Sequence, residues 1–363
     1  MESRTTDRLP CPVSVIGQGC WQLGADWGEV AEDTAEQILA TAADAGVTFF
    51  DTADVYGDGR SERIVGRFVH ERGRENFLVA TKMGRRADPH VPESFTPDNL
   101  RRWNDRSREL LGDDTLDLVQ LHCPPTPVFS TDAVFETLDE MVGEGRMRAY
   151  GVSVETCDEA LTAIARPHVA SVQIILNVLR RKPLEQVLGA AAEAGVAIIA
   201  RVPLASGLLT GRFTADTQFA ADDHRTYNRH GEAFDQGETF SGVPYDVGLV
   251  AARRFAEIGA GSGEAGSGQA GSGEAGSGQA GSEDASSRDA GSGEVGASTP
   301  AQRALRWIID QPGVTTVIPG ASSPEQARAN AAAASLAPTS SAELKAYEEL
   351  YDDLIREHVH DRW

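Results

Sequence analysis

Short apolar runs alternate along the chain with longer stretches in which apolar residues recur every three to four positions. The runs lie at 15–19, 47–50, 77–80, 116–121, 148–152, 171–175, 196–200 and 314–318. Being apolar on both faces, they predict strands buried on both sides. Between and after them, the helical period predicts helices at 34–45, 62–71, 97–111, 133–144, 157–165, 184–194, 301–309, 324–334 and 342–355. Several follow Asp, Ser or Thr and end near Gly, the signals of capped termini. Eight such strands separated by helices predict an α/β fold with a parallel sheet. The strand count and the 363 residues fit a closed (β/α)8 TIM barrel forming a single domain, 1–363. A doubly wound sheet would need a phosphate-binding glycine turn after its first strand. Here Gly17-Gln18-Gly19-Cys20-Trp21-Gln22 breaks that pattern at its last position.

One segment departs from the alternation. Residues 259–298 are built from Gly, Ser, Ala and Glu, and the decapeptide GSGEAGSGQA at 261–270 is repeated at 271–280. Apart from alanines it holds one aliphatic residue, Val295, too little to offset the entropy of ordering it. It is expected to be a disordered, flexible insertion before the last strand-helix units, because the 65 residues after it read as the end of a fold.

Charge narrows the function. The chain carries 33 basic and 55 acidic residues, a net of −22, of which −5 falls in the insertion. Such a body repels phosphate backbones and anionic membrane surfaces, so neither nucleic acid nor membrane is an expected partner. No run of about 18 apolar residues could span a bilayer. The start, Met1-Glu2-Ser3-Arg4, lacks the apolar core of a secretory signal, which makes the cytoplasm the default location. Acidity with only three lysines fits either a halophile's proteome or GC-rich coding. Four cysteines without CxxC spacing, and His224 and His230 six apart, fit no metal site, and no metal is expected.

In a barrel the working residues follow the strands. Asp51 closes the second run, with Tyr56 five residues on; Lys82 follows the third and His122 the fourth. Each residue alone is ordinarily structural; four at consecutive strand ends point to chemistry. Lys82 is one of three lysines beside thirty arginines, which suggests that an amine is needed there. A lysine ammonium lowers the pKa of a neighbouring phenol, a carboxylate holds the ammonium, and a histidine can orient or relay the proton. Together they could protonate an oxygen as charge builds on it. A lysine Schiff base at Lys82 is the rival chemistry. Trp21, Trp27 and Phe129 are candidates for an apolar pocket wall or for core. The polar stretch 219–240 is too polar for core and reads as a lid.

The stretches FFDTADVYGDGRSERIVGRF (49–68), LVATKMG (78–84), LDLVQLHCP (116–124), RAYGVSVE (148–155), SVQIILN (171–177), VPLASGLLTGRF (202–213) and ALRWIIDQPGVTTVIPGASSPEQARAN (304–330) resemble the aldo-keto reductase superfamily. The resemblance implies an NAD(P)-dependent oxidoreductase that reduces an aldehyde or ketone, or oxidises the alcohol, by direct hydride transfer. Tyr56 would be the proton donor, supported by Lys82, Asp51 and His122. It also implies that Ser153 and Gln173 face the nicotinamide carboxamide and that Arg201 takes the place of the stacking aromatic. The loop Pro203, Leu204, Ser206 and Gly207 would face the pyrophosphate, and Gly320, Ser322, Gln326 and Asn330 the adenosine end. Family habit favours NADP(H). NAD(H) stays open because Ser322 stands where many members carry an arginine. A redox-sensing regulatory barrel with little turnover is the alternative within the same resemblance.

Overall fold

The computed structural model describes residues 1–24, 30–221, 223–264 and 298–363. A hairpin of β1 (Ser3–Arg4) and β2 (Val13–Ser14) precedes eight parallel strands. These are β3 (Gln18–Gly19), β4 (Phe49–Asp51), β5 (Leu78–Met83), β6 (Leu116–His122), β7 (Met147–Ser153), β8 (Val169–Ile175), β9 (Ala197–Arg201) and β10 (Val314–Val317), each paired with the next in sequence. The sheet closes on itself. Gly17 N donates to the Val317 carbonyl at 2.8 Å, and Val317 N returns a bond to Val15 at 3.0 Å. All eight predicted strands are present, in the predicted order.

Helices α1 (Glu32–Asp44), α2 (Arg60–Arg72), α3 (Pro97–Leu111), α4 (Asp132–Gly143), α5 (Cys157–Ile164) and α6 (Val187–Ala194) alternate with the strands as far as β9. The bounds of α3 agree with the sequence reading because its ends are marked chemically. Thr96 accepts from Asn99 N, Pro97 opens the first turn, and Gly112 stops the helix at φ 73°. The short α7 (His224–Tyr227) and the long α8 (Tyr245–Glu264) follow β9, then α9 (Pro300–Ile309) leads into β10. Beyond β10 come α10 (Pro324–Ala332), α11 (Ser341–Leu354) and α12 (Arg356–Val359).

Helix α8 corrects the boundary of the insertion. Residues 259–264, expected to be flexible, continue a helix whose buried Leu249, Ala252 and Phe255 anchor it to the body. Phe255 packs on Tyr347 of α11 with ring centroids 4.8 Å apart. Burial along one face carries the helix into the glycine-rich stretch. The rest of the expected insertion, 265–297, lies outside the described residues, as does Trp27.

Apolar contacts fall into two bodies. The larger fills the shell between strands and helices. The smaller lies inside the barrel and includes Phe49, Leu78, Ala80, Leu118, Ala149 and Ile199, with Val13 of the hairpin and Leu9 added from the N-terminal end. Inward positions repeat every second residue along a strand. The positions above Leu78 and Ala80, above Leu118, and above Ile199 are therefore Lys82, Gln120 with His122, and Arg201. The fold thus delivers the polar strand ends to one mouth.

Candidate active site

The side chains of Asp51 and Tyr56 meet at Lys82, which is 1% exposed. Its ammonium has three protons and uses all of them. Nζ donates to Asp51 Oδ1 at 2.5 Å, to the Thr52 carbonyl at 2.9 Å and to Tyr56 Oη at 3.2 Å. The other carboxylate oxygen of Asp51 accepts from Gln173 Nε2 at 2.8 Å and from Gln120 Nε2 at 3.3 Å. Strand register sets this up, since Lys82 lies opposite Gln120, and Ser153 opposite both His122 and Gln173.

Tyr56 sits on the loop after β4, and local bonds fix that loop. Thr52 Oγ1 donates to Ser61 Oγ and Ser61 Oγ to the Cys20 carbonyl, both at 2.8 Å. Gly57 follows at φ 57°, and a Cβ there would meet the Gly24 carbonyl oxygen at 2.1 Å, so only glycine completes this turn. Trp21 stacks against the Tyr56 ring, centroids 5.9 Å apart and 18° from parallel. His122 meets the same ring edge-on at 6.0 Å. Trp21 is therefore a wall of the site, whereas Phe129, 1% exposed, belongs to the core.

The electrostatics correct two expectations. Burial works against the Lys82 ammonium, but Asp51 and then the phenol outweigh it and hold its pKa above the ordinary value. A Schiff base needs the neutral amine, which this pairing suppresses. Burial also dominates at Tyr56. Lys82 opposes it, yet the phenol's pKa ends above its ordinary value, because burial, joined by the negative charge of Asp51, outweighs the ammonium. The expected lowering by Lys82 is thus a partial counterweight.

His122 is held neutral, first by burial and then by Arg85, Lys82 and Arg201. Its Nε2 lies 3.4 Å from Arg85 Nη1. A guanidinium only donates, so Nε2 accepts and the ring proton belongs on Nδ1. Among the described residues no hydrogen bond joins His122 to Tyr56, so the expected relay is not formed.

Around this set lies a buried ionic group of which sequence reasoning named only Arg201. Arg201, 7% exposed, donates through Nη2 to Glu155 Oε2 at 2.9 Å and to the Val154 carbonyl at 3.0 Å. Arg85 Nη1 donates to Glu238 Oε1 at 2.9 Å, and Arg201 Nη1 lies 3.7 Å from Glu238 Oε2. Burial raises the Glu155 pKa, while Arg85 and Arg201 overcome burial at Glu238 and lower its value. Cys123, Glu155 and Glu238 bring potential ligand atoms within 4.8 Å of one another. The two carboxylates are already engaged by the arginines, which also oppose a second cation.

Glu238 belongs to the stretch read as a lid. Its residues 223–242 roof the mouth: Phe234 and His224 lie 6.0 and 5.3 Å from Trp21. Ser206 Oγ donates to the Glu238 carbonyl and accepts from Phe240 N, both at 3.1 Å. The stretch is not too polar to pack, because its polar groups satisfy each other. Asn228, fully buried, accepts from Ala233 N and Phe234 N and donates to Thr239. Trp363 fastens the roof, donating to Asp235 at 2.9 Å. Asp222 lies outside the described residues.

Of the residues that the resemblance implies for a dinucleotide, Ser153 lies beside Gln173 in register, with Cys123 Sγ 3.4 Å from its Oγ. Gln173 spends its amide hydrogens on Asp51 and Gln120, which leaves its Oε1 to accept. Arg201 is committed to Glu155 instead of lying free to stack. Pro203 and Leu204 lead into Ala205, Ser206 and Gly207, three successive residues at positive φ (48°, 53° and 98°). Consecutive strained residues of this kind mark a loop shaped for function. Gly320 and Asn330 are joined by a bond from Asn330 Nδ2 to the Gly320 carbonyl at 3.0 Å. Ser322 donates from its backbone N to Gln326 Oε1 at 2.9 Å, at the exposed start of α10. What this set leaves open to a dinucleotide is the Gln173 Oε1 acceptor and the positive-φ turn at 205–207.

Comparison with known proteins agrees with this geometry. Residues 15–352 match the profile of the Aldo/keto reductase family. The aldo-keto reductase YhdN of Bacillus subtilis is 33% identical over 220 residues, 59% of this chain and 66% of the relative. The aldo-keto reductase yakc [NADP(+)] of Schizosaccharomyces pombe is 31% identical over 222 residues, 59% of this chain and 64% of the relative. The chain therefore spans slightly less than two thirds of the length of these two relatives. In structure it resembles the glycerol dehydrogenase AKR11B4 from Gluconobacter oxydans, with a TM-score of 0.70, 24% identity and coverage of 98% and 96% of the two chains. That likeness speaks for the barrel, and the match along nearly all of the sequence settles the lineage: the chain belongs to the aldo/keto reductase family.

Proposed function

We propose that this protein reduces an aldehyde or ketone to the alcohol, or runs the reverse reaction, with NADP(H) favoured and NAD(H) open as cofactor. The carrying observation is the Lys82 ammonium, whose three bonds to Asp51, the Thr52 carbonyl and Tyr56 aim the phenol into the mouth. A bound nicotinamide supplies the hydride for the carbonyl carbon. Tyr56 holds a proton throughout the neutral range and gives it to the carbonyl oxygen as negative charge builds there. Lys82 then stabilises the phenolate that remains. Asp51 is a positioning residue that keeps Lys82 charged and placed, and Gln120 and Gln173 hold Asp51. Neutral His122 and Trp21 shape the space beside the phenol.

Ser153 and the free oxygen of Gln173 would hold the carboxamide, the 203–207 loop the pyrophosphate, and Gly320, Ser322, Gln326 and Asn330 the adenosine end. The printed name of the fission-yeast relative carries NADP(+), which supports the preferred cofactor. The roof over the mouth favours a second reading, a cofactor-binding regulatory barrel with little turnover.

The test is fluorescence titration with NADPH and NADH, followed by turnover of a carbonyl panel by wild type and Tyr56→Phe. Binding of one cofactor by both proteins, with reduction lost only in the variant, is expected. Binding without turnover in wild type would favour the regulatory reading. No binding of either cofactor would end both.

A further inference from the structure

The mouth already holds a carboxylate. Glu238, 6% exposed, reaches down from the roof and is gripped by Arg85 Nη1 at 2.9 Å, with Arg201 Nη1 at 3.7 Å. The same Arg85 nitrogen lies 3.4 Å from His122 Nε2, so this carboxylate sits one side chain away from the imidazole that flanks Tyr56.

Besides His122, the partners of Arg85 share one origin. Its carboxylate, Glu238, and the aromatic ring it covers, Phe234 at 5.2 Å, both come from the roof. Among the described residues, Glu238 is the only acidic side chain within salt-bridge distance of Arg85. Glu238 is near enough to the Tyr56 phenol for its charge to act on it, so Arg85 and the proposed proton donor border the same part of the mouth. Arg201 keeps its bond to Glu155 when Glu238 leaves, whereas Arg85 keeps the neutral imidazole at hydrogen-bonding distance and feels Glu155 only at longer range. A buried cation without its partner is costly, and a ligand that restores the lost charge removes that cost.

Resting on the reductase reading above, we infer that the substrates of this enzyme are carbonyl compounds bearing a carboxylate, which Arg85 binds in the place that Glu238 occupies here. Glu238 is then an internal stand-in for the substrate's acidic group. A guanidinium suits this exchange because its forked donors match a carboxylate.

The probes are 4-oxobutanoate and its neutral methyl ester, assayed with the cofactor that binds. Wild type is expected to show a kcat/KM at least tenfold higher for the acid. In Arg85→Leu that ratio should collapse toward one, and Arg85→Lys should restore part of it. A ratio near one in wild type, or one that Arg85→Leu leaves unmoved, would overturn the inference while the reductase reading stands. Absence of turnover with any carbonyl would remove both.

Inhibition of ester reduction by succinate gives a measurement that does not depend on folding of the Arg85 variants. Succinate should compete with the ester in wild type, and Glu238→Gln should lower its inhibition constant at least fivefold by removing the internal competitor. Succinate inhibition no stronger than that of succinamide would also overturn the inference.

Discussion

The two ends of the barrel are made by the same strands and differ in almost everything else. At the N-terminal end, inward positions carry Leu78, Leu118, Ala149 and Ile199, sealed by Leu9 and Val13 of the hairpin. Two to four residues farther along the same strands they carry Lys82, His122, Ser153 and Arg201, all nearly as buried. At the apolar end, burial is favourable side chain by side chain, about 1.5–3 kcal/mol for each large aliphatic. At the mouth each charge costs desolvation that only a placed partner offsets. The apolar end therefore contributes through packing alone, whereas the mouth depends on every charge having its partner. Barrel strength and barrel chemistry occupy separate layers of one pleat.

The largest effect that should expose this separation is on turnover. Tyr56→Phe should lower carbonyl reduction by about 10²–10⁴-fold, the range for loss of a general acid. Leu118→Ala, in the sealed layer, should leave kcat near wild type. Steady-state kinetics on both variants decide this, and equal losses would mean that the layers are not functionally distinct.

Stability is the next measure. Asp51→Asn leaves the Lys82 ammonium buried with only neutral partners and should cost about 3–5 kcal/mol. Leu118→Ala should cost about 2–5 kcal/mol through its cavity. Urea denaturation compares them, and an Asp51→Asn cost below 1 kcal/mol, as an order-of-magnitude bound, would show that the ion pair does not hold the mouth together.

A smaller effect concerns Asp54, fully buried two residues before Tyr56, whose carboxyl burial and then Glu62 push up to about 7. In the unfolded chain it titrates near 3.9. Between those values the folded protein keeps a proton that the unfolded chain has lost, so stability falls as pH rises from about 4 to 7 and then levels off. The slope is at most about 1.4 kcal/mol per pH unit. Asp54→Asn should flatten it in denaturation curves at pH 5 and 8, and an unchanged slope would assign it elsewhere.

The mildest test is the pH profile of the reaction. Because the pKa of Tyr56 lies above its ordinary value, reduction should be nearly flat from pH 6 to 9. Alcohol oxidation, which needs the phenolate, should climb with pH over the same range. A reduction rate that falls by half near pH 8 would contradict the protonated phenol.

The strands and most helices were legible because each leaves a local mark. A short run apolar on both faces or a period of 3.6 needs no knowledge of distant residues, and α3 is bounded by Thr96, Pro97 and Gly112 within its own segment. The members of the tetrad were legible for a related reason, since each stands at a strand end and the barrel sends all strand ends to one mouth. Arg85 and Glu155 also follow strand ends, two residues past β5 and β7, but nothing local shows which partner each meets, and Glu238 lies far from any strand. A charged residue in a loop looks the same whether it meets water or a partner 153 positions away, as Arg85 meets Glu238. Helix α8 was missed because a glycine-rich stretch at its end concealed a buried face that only Tyr347 and its neighbours complete.

By itself the sequence determined the order of strands and helices and the family, and it picked out the four residues proposed for the chemistry, all written in local pattern and spacing. Tertiary structure alone decided which charges meet. It bound the phenol to an ammonium already neutralised by Asp51, set His122 against the phenol ring without a hydrogen bond to it and turned Arg201 toward Glu155. It also set Glu238 on Arg85. The physical reason is that a buried charge takes its energy from partners and exclusion of water, and chain folding supplies both from positions that no sequence neighbourhood contains.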